Sequence, residues 1–141
     1  MLKEFNPHTH SQYDVKAREK AKRFWISRGY SCTDNPDQYG VDLMIEGKGR
    51  KFFCEVEVKQ SWHGLTFNYE TLHIPLRKAK FLTKPTVFMV FNASLHMAAL
   101  VSRTAVKNAP RKEVPNREIA QGERFFDVPA EQATFLNLIG I

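Results

Sequence analysis

The sequence predicts an α/β protein in which a central sheet of mixed strand direction is flanked by helices. Residues 41–46 and 52–59 alternate apolar with polar side chains, which is the two-residue period of a half-buried strand. A segment with helical periodicity precedes them, and a continuous apolar run over 86–91 follows a second predicted helix. A strand, a helix and another strand imply a right-handed crossover, so we expect the last two strands to be parallel.

The first helix is predicted over 11–28. Ser11 and Asp14 have the spacing of a capping box, and Gly29 favours an end at that position. The apolar stripe has the period of a helix packed on a sheet and consists of Tyr13, Ala17, Ala21, Phe24 and Trp25. Residues 30–33 are expected to form a short edge strand, which turn-forming residues follow.

The strands over 41–46 and 52–59 form a hairpin if the chain reverses through 47–51. In that register Asp42 faces Glu57, within about one residue either way. Lys59 shares the face of Glu57, because side chains two residues apart in a strand point to the same side. Charged groups on a half-buried sheet are costly unless they are paired or bind a cation. The hairpin therefore predicts two carboxylates and an ammonium around one cation site.

Magnesium suits such a site. Mg²⁺ takes oxygen ligands, typically one or two carboxylates, and leaves other positions to water and substrate phosphate. Asp42, Glu57 and the backbone carbonyl of Val58 are the candidate ligands. Lys59 is expected to orient or deprotonate an attacking water, or to neutralise charge on the phosphate. The ordinary alternative is a solvated sheet face with cross-strand ion pairs.

These residues resemble the bipartite motif of the PD-(D/E)XK nuclease superfamily. Asp42 is followed, after fourteen residues, by Glu57-Val58-Lys59. Together with Gly40-Val41-Asp42-Leu43, this segment is most similar to archaeal and viral Holliday-junction resolvases, although Val41 stands where the superfamily motif has proline. The resemblance covers roughly residues 11–101. It implies a restriction-endonuclease-like fold with an αβββαβ core.

The resemblance also implies an activity. It predicts a DNA endonuclease that depends on Mg²⁺, with Mn²⁺ as an alternative ion, and that acts on branched DNA in recombination and repair. Two symmetric cuts require two sites, so a homodimer is expected. Glu19 of the first helix is a candidate ligand, with a surface ion pair as the alternative. Gln60 lies where such nucleases carry a polar residue that contacts the scissile phosphate or a metal-bound water.

Basic and aromatic side chains downstream of the motif are candidate DNA contacts. A second helix is predicted over 73–82, and a solvated helix face is the alternative to DNA binding. Its basic edge consists of Arg77, Lys78, Lys80 and Lys84. Trp62 is a candidate for stacking on unpaired bases, with a place in the core as the alternative. His63 is a candidate phosphate contact.

The rest of the chain is predicted from local composition. A strand is expected over 96–102, a loop over 108–124, a last strand from Phe125 and a closing helix over 129–139. Cys32 and Cys54 are expected to be reduced thiols in or near the core rather than a disulfide or a zinc site.

Length and composition fit one globular domain over 1–141, with 43% hydrophobic and 26% charged residues. The chain has 21 Lys and Arg against 15 Asp and Glu, and its net charge of +6 suits a polyanionic partner. No apolar run approaches the length of about 18 residues that a membrane span needs, and the N-terminal segment lacks the hydrophobic stretch of a signal peptide. We therefore expect a cytoplasmic protein without a membrane partner.

Three other functions fit the same residues. The first is a nucleic-acid-binding module that keeps the fold without hydrolysis. The second is a nuclease that acts on RNA with the same site. The third is a purely structural or interaction protein. The sequence does not distinguish DNA from RNA.

Overall fold

The structure is a computed structural model that describes residues 7–37, 39–116 and 119–141. In chain order its elements are α1 (Pro7–Ser27), β1 (Ser31–Asp34), β2 (Leu43–Gly47), β3 (Arg50–Val58), β4 (Thr71–Pro75), a 3₁₀ helix (Leu76–Thr83), β5 (Thr86–Phe91), β6 (Met97–Val101), α2 (Arg103–Asn108), β7 (Arg111–Asn116), β8 (Ile119–Pro129), a 3₁₀ helix (Ala130–Gln132) and β9 (Thr134–Asn137).

The larger sheet has six strands in the order β1-β2-β3-β5-β6-β9. β3 and β5 are parallel, whereas the other neighbouring strands in this sheet are antiparallel. The predicted α/β class, the β2–β3 hairpin and the parallel pair are therefore confirmed. β1 lies at one edge of the sheet, as predicted, and β5 lies in its interior.

Two hydrophobic clusters cover the two faces of the larger sheet. Met89 and Phe91 of β5 belong to the cluster under α1, whereas Phe88 and Val90 belong to the cluster on the other face. The second cluster includes side chains of a smaller sheet with the order β4-β8-β7. Side chains alternate between the faces of a strand, so β5 contributes to both clusters. The central strand is thus covered on both sides, as its apolar run predicted.

Helix α1 packs on the sheet through the predicted stripe. Ala17, Ala21, Phe24 and Trp25 are all buried, whereas the side chain of Tyr13 lies outside the described part. The helix begins at Pro7 rather than at residue 11. Proline is well tolerated in a first helical turn because its missing N–H has no partner there in any case. The capping-box prediction was therefore wrong.

The prediction of a second helix over 73–82 was also wrong, both in the type of helix and in its first residues. Residues 71–75 form β4, which pairs with β8, and a 3₁₀ helix follows from Leu76. Leu72 and Ile74 are fully buried, which is the alternation of a strand. Pairing with β8 across the chain decided the conformation, and local periodicity over so short a segment did not reveal it.

The C-terminal half contains more strand than predicted. The expected loop over 108–124 includes the β7–β8 pair, and residues 117–118 within it lie outside the described residues. The expected closing helix is a short 3₁₀ helix followed by β9, which pairs with the edge of β6. The strand predicted from Phe125 is confirmed as part of β8, and the strand over 96–102 as β6.

Both cysteines are buried free thiols, in agreement with the prediction. Burial raises the pKa of Cys32 to about 11 and raises the pKa of Cys54 further. Across the residues that the structure describes, no helix combines the length and the apolar character that a membrane crossing requires.

Candidate active site

Asp42 lies directly before β2 and is anchored to β3. Its carboxylate Oδ2 accepts a hydrogen bond of 2.9 Å from the backbone N–H of Val56, and its own N–H donates one of 3.0 Å to Oε1 of Glu55. Leu43 pairs with Cys54, so Asp42 is level with Glu55. The register therefore places Glu55, and not Glu57, next to Asp42. The sequence had favoured a surface role for Glu55.

A lysine from the 3₁₀ helix lies against the glutamates of β3. Nζ of Lys78 is 2.5 Å from Oε2 of Glu55 and also forms an ion pair with Oε1 of Glu57. Glu55 is only 4% exposed, and the side chain of Lys78 is largely buried as well. Lys78 was predicted as a DNA contact on a basic helix edge. The structure instead places it inside the carboxylate cluster.

The environment shifts the pKa of both buried partners. Burial raises the pKa of Glu55 to about 8, and the Asp42 carboxylate adds to this rise against the attraction of Lys78. Burial by itself lowers the pKa of Lys78, but the carboxylates of Glu57 and Glu55 outweigh burial and the net shift is upward. Lys78 therefore keeps its positive charge, and Glu55 takes up a proton at a higher pH than an exposed glutamate does.

The cluster opens into a recess of about 190 Å³. Its lining is mostly charged or polar and consists of Asp14, Asp42, Glu55, Val56, Glu57, Val58, Gln60, Arg77 and Lys78. A second recess shares Asp42, Glu55, Arg77 and Lys78 with the first. The other residues that line it are Tyr39, Gly40, Lys80 and Phe81. We call the two recesses together the acidic groove.

The first helix brings an acidic residue to the acidic groove, but that residue is Asp14 rather than Glu19. Glu19 is exposed and lies 3.3 Å from Nζ of Lys22, so it forms the surface pair that was the alternative prediction. Five residues along an α-helix correspond to about 140° of rotation, so these two side chains leave the helix in different directions. Asp14 precedes the buried Ala17 and Ala21 by three and seven residues, and this spacing was a signal for the sheet-facing side.

Lys59, the lysine of the predicted motif, lies apart from the carboxylates. Its Nζ lies 4.5 Å from the ring centre of Tyr69, a cation–π distance, and Lys59 lines neither part of the acidic groove. The structure thus brings Lys78 rather than Lys59 to Glu55 and Glu57.

The other predicted residues divide between the groove and the rest of the molecule. Gln60 and Val58 line the first recess, Arg77 lines both recesses, and Lys80 lines the second. His63 is exposed and lines neither recess.

Trp62 belongs to the core. Its side chain is 1% exposed, and its Nε1–H donates to the carbonyl of Thr66 at 3.2 Å. The indole also contacts Phe67 edge-on, with ring centres 5.0 Å apart. Trp62 therefore lies in the core, which was the alternative prediction to base stacking, and no face of its ring is available to a base.

The donor atoms of the groove fit a hard divalent cation in kind. Asp42, Glu55 and Glu57 supply carboxylate oxygens, the ligands that Mg²⁺ prefers. Among the described residues, however, no group of three or more His, Cys, Asp or Glu side chains is arranged as a ready metal site. The ammonium of Lys78 supplies the positive charge between Glu55 and Glu57.

Searches against protein-family models and against curated proteins find no match to the chain. The contacts within the acidic groove are therefore the basis for the functional assignment.

Proposed function

We propose that the protein is a metal-dependent endonuclease that hydrolyses phosphodiester bonds in DNA. The observation that supports this most directly is the convergence of Asp42, Glu55, Glu57 and Lys78 in one recess. Carboxylates beside an ammonium suit a reaction in which a cation and a phosphate must meet. Arg77 adds a second cation at the same recess.

Each residue has a role in this proposal. Asp42 and Glu55, which the hairpin holds side by side, would hold Mg²⁺ together with Glu57. The bound ion would supply Lewis acidity and a water of lowered pKa. Lys78 stabilises negative charge that develops on the phosphate, and Arg77 binds a phosphate oxygen. Gln60 orients the attacking water from the edge of the recess.

The resemblance to PD-(D/E)XK nucleases supports the same activity. The residue types of that motif are all present, namely Asp42, a glutamate on the next strand and a nearby lysine. In the structure the glutamate beside Asp42 is Glu55, and the lysine that pairs with Glu55 and Glu57 is Lys78. We extend the proposal to branched DNA as substrate, to recombination and repair as its setting, and to a homodimer that makes two cuts. Size-exclusion chromatography with light scattering tests the homodimer.

The decisive experiment compares cleavage of linear duplex, single-stranded and four-way DNA with Mg²⁺, with Mn²⁺ and with a chelator. We expect Asp42→Asn to lower metal-dependent cleavage by about 100-fold or more, because it removes a charged oxygen donor from the site. DNA binding should survive, since the loss of a carboxylate reduces repulsion of phosphate.

Glu46→Gln is the matched control. Glu46 is an exposed carboxylate on β2 that lines neither part of the acidic groove, so this variant should cleave like the wild type. Full cleavage by the Asp42→Asn variant would refute the proposed site.

One observation favours a second function, a nucleic-acid-binding module without hydrolysis. Lys78 bridges Glu55 and Glu57 and already neutralises part of their charge, so the folded site does not require a divalent ion. This function predicts salt-sensitive DNA binding with no product under any divalent ion. The same groove would also serve a nuclease that acts on RNA. Competition between RNA and DNA substrates distinguishes that activity from cleavage of DNA.

A further inference from the structure

Between β1 and β2, the described residues 35–37 and 39–40, which we call the loop, present an exposed aromatic side chain at the acidic groove. Tyr39 is 76% exposed, more than any other large apolar side chain in the described part of the chain. It lines the second recess together with Asp42 and Glu55. An aromatic ring in water beside a charged groove is available to stack on a ligand.

Hydrogen bonds hold the backbone of this loop in place. The N–H of Asn35 donates to the carbonyl of Asp42 at 3.0 Å, and the N–H of Asp37 donates to Oδ1 of Asn35 at 3.1 Å. The N–H groups of Tyr39 and Gly40 donate to Oδ1 and to the carbonyl of Asp37, both at 3.0 Å. The position of Tyr39 is thus linked to that of Asp42.

Gly40 allows the loop to close this tightly. A Cβ atom at this position would lie 2.6 Å from Nδ2 of Asn35, which is too close for an unshifted structure. Asn35 also accepts a hydrogen bond from the N–H of Asp37, so it cannot turn away without losing that bond. The loop therefore holds the backbone of Tyr39 in a defined place before any ligand arrives.

The charges around Tyr39 favour a polyanion. Arg77, Lys78 and Lys80 line the same recess, and Arg77 and Lys80 form no ion pair among the residues that the structure describes. A strand of nucleic acid offers both matching chemistries, since its phosphates suit the cations and its bases suit an aromatic ring.

We propose that Tyr39 stacks on an unpaired base of a DNA strand whose backbone passes along Arg77 and Lys80 to the carboxylates. This inference rests on the proposed function for the position of the scissile phosphate. Bases inside a duplex are stacked on each other and offer no free face, so the ring selects single strands, flaps or branch points over continuous duplex.

Equilibrium binding in the presence of a chelator tests the inference, because no cleavage takes place under that condition. Fluorescence anisotropy would compare a single-stranded oligonucleotide with the same sequence as a duplex. Stacking on one base corresponds to about a 5- to 150-fold effect on affinity, so we expect Tyr39→Ala to weaken single-strand binding within that range. Tyr39→Phe should bind like the wild type, because it keeps the ring.

A matched control and a direct probe complete the design. Ile26→Ala removes another exposed apolar side chain, 56% exposed on α1, and should leave both affinities unchanged. An oligonucleotide with 2-aminopurine should lose fluorescence on binding to the wild type and to Tyr39→Phe, but not on binding to Tyr39→Ala, because stacking quenches the probe.

The outcomes separate this inference from the nuclease proposal. Equal single-strand affinities for the wild type and Tyr39→Ala, or equal losses on duplex and single strand, would overturn the role of Tyr39 even if the protein cleaves DNA. Stacking through Tyr39 without cleavage under any divalent ion would support this inference and refute the nuclease. A preference of the Tyr39-dependent site for RNA over DNA would overturn DNA as the ligand.

Discussion

The backbone N–H of Asp42 donates a hydrogen bond of 3.0 Å to the carboxylate of Glu55. This bond joins the start of β2 to the middle of β3 and holds the buried Glu55 beside the partly exposed Asp42. Charged groups in such a place are costly unless they are paired, and Lys78 is the partner that the fold provides.

The pH dependence of stability should change in Glu55→Gln. The pKa of Glu55 is raised to about 8 in the folded protein, mainly by burial, so the unfolded chain ionises this group first as the pH rises. The stability that the protonated carboxyl contributes is present below the unfolded pKa and is lost as the pH rises through the folded pKa. Between about pH 4.5 and pH 8, the free energy of unfolding of the wild type should therefore fall relative to that of the variant.

Urea unfolding at a series of pH values measures this difference, which should be on the order of a few kcal/mol. Glu46→Gln, at an exposed carboxylate of the same hairpin, should keep the pH dependence of the wild type. Parallel pH profiles for the wild type and Glu55→Gln would contradict a raised pKa for Glu55.

Removal of the buried ammonium should be costly. Lys78→Met leaves Glu55 and Glu57 close together without their shared partner, and we expect a loss of about 3–5 kcal/mol in the free energy of unfolding above about pH 8, where Glu55 is ionised. Lys59→Met removes the motif lysine from the Tyr69 ring and should cost less than about 1 kcal/mol. Urea unfolding of both variants provides the comparison.

The same variant tests whether a divalent ion takes the place of the ammonium. Ligands that bind only the folded state raise stability, so Mn²⁺ should stabilise Lys78→Met more than the wild type. Equal losses of unfolding free energy in Lys78→Met and Lys59→Met would show that the ion pairs of Lys78 stabilise the fold no more than the Lys59–Tyr69 contact does.

The acidic residue of α1 that serves the groove should be Asp14. Asp14 lines the recess, whereas Glu19 pairs with Lys22 on the surface. We expect Asp14→Asn to weaken Mn²⁺ binding, measured by calorimetry or electron paramagnetic resonance, by about 10-fold or more. Glu19→Gln should leave that affinity unchanged and alter stability by less than about 1 kcal/mol. Weaker Mn²⁺ binding in Glu19→Gln together with unchanged binding in Asp14→Asn would make Glu19 the candidate ligand instead.

The sequence by itself determined the fold class and the position of the hairpin. The alternation in β2 and β3, the apolar run of β5 and the stripe of α1 are local patterns. Burial of one face stabilises each of them within a few residues, so periodicity was enough to predict them. The hairpin also placed Asp42 and Glu57 at one site, and both line the first recess. Gln60, named from the resemblance, and Arg77, named as a DNA contact, line the same recess.

Only the tertiary structure decided which charged groups meet. Lys78 lies 23 positions from Glu55 in the sequence, and the 3₁₀ helix over 76–83 brings the two together. A helix was predicted there, but its contact with the carboxylates of β3 was not. The β2–β3 register selected Glu55 as the neighbour of Asp42, and the packing of α1 against β3 placed Asp14 at the groove. β4 and β9 became strands because β8 and β6 offered edges to pair with. Periodicity encodes which face of a segment is buried, but partners distant in the chain are set by loops and packing, which no single segment contains.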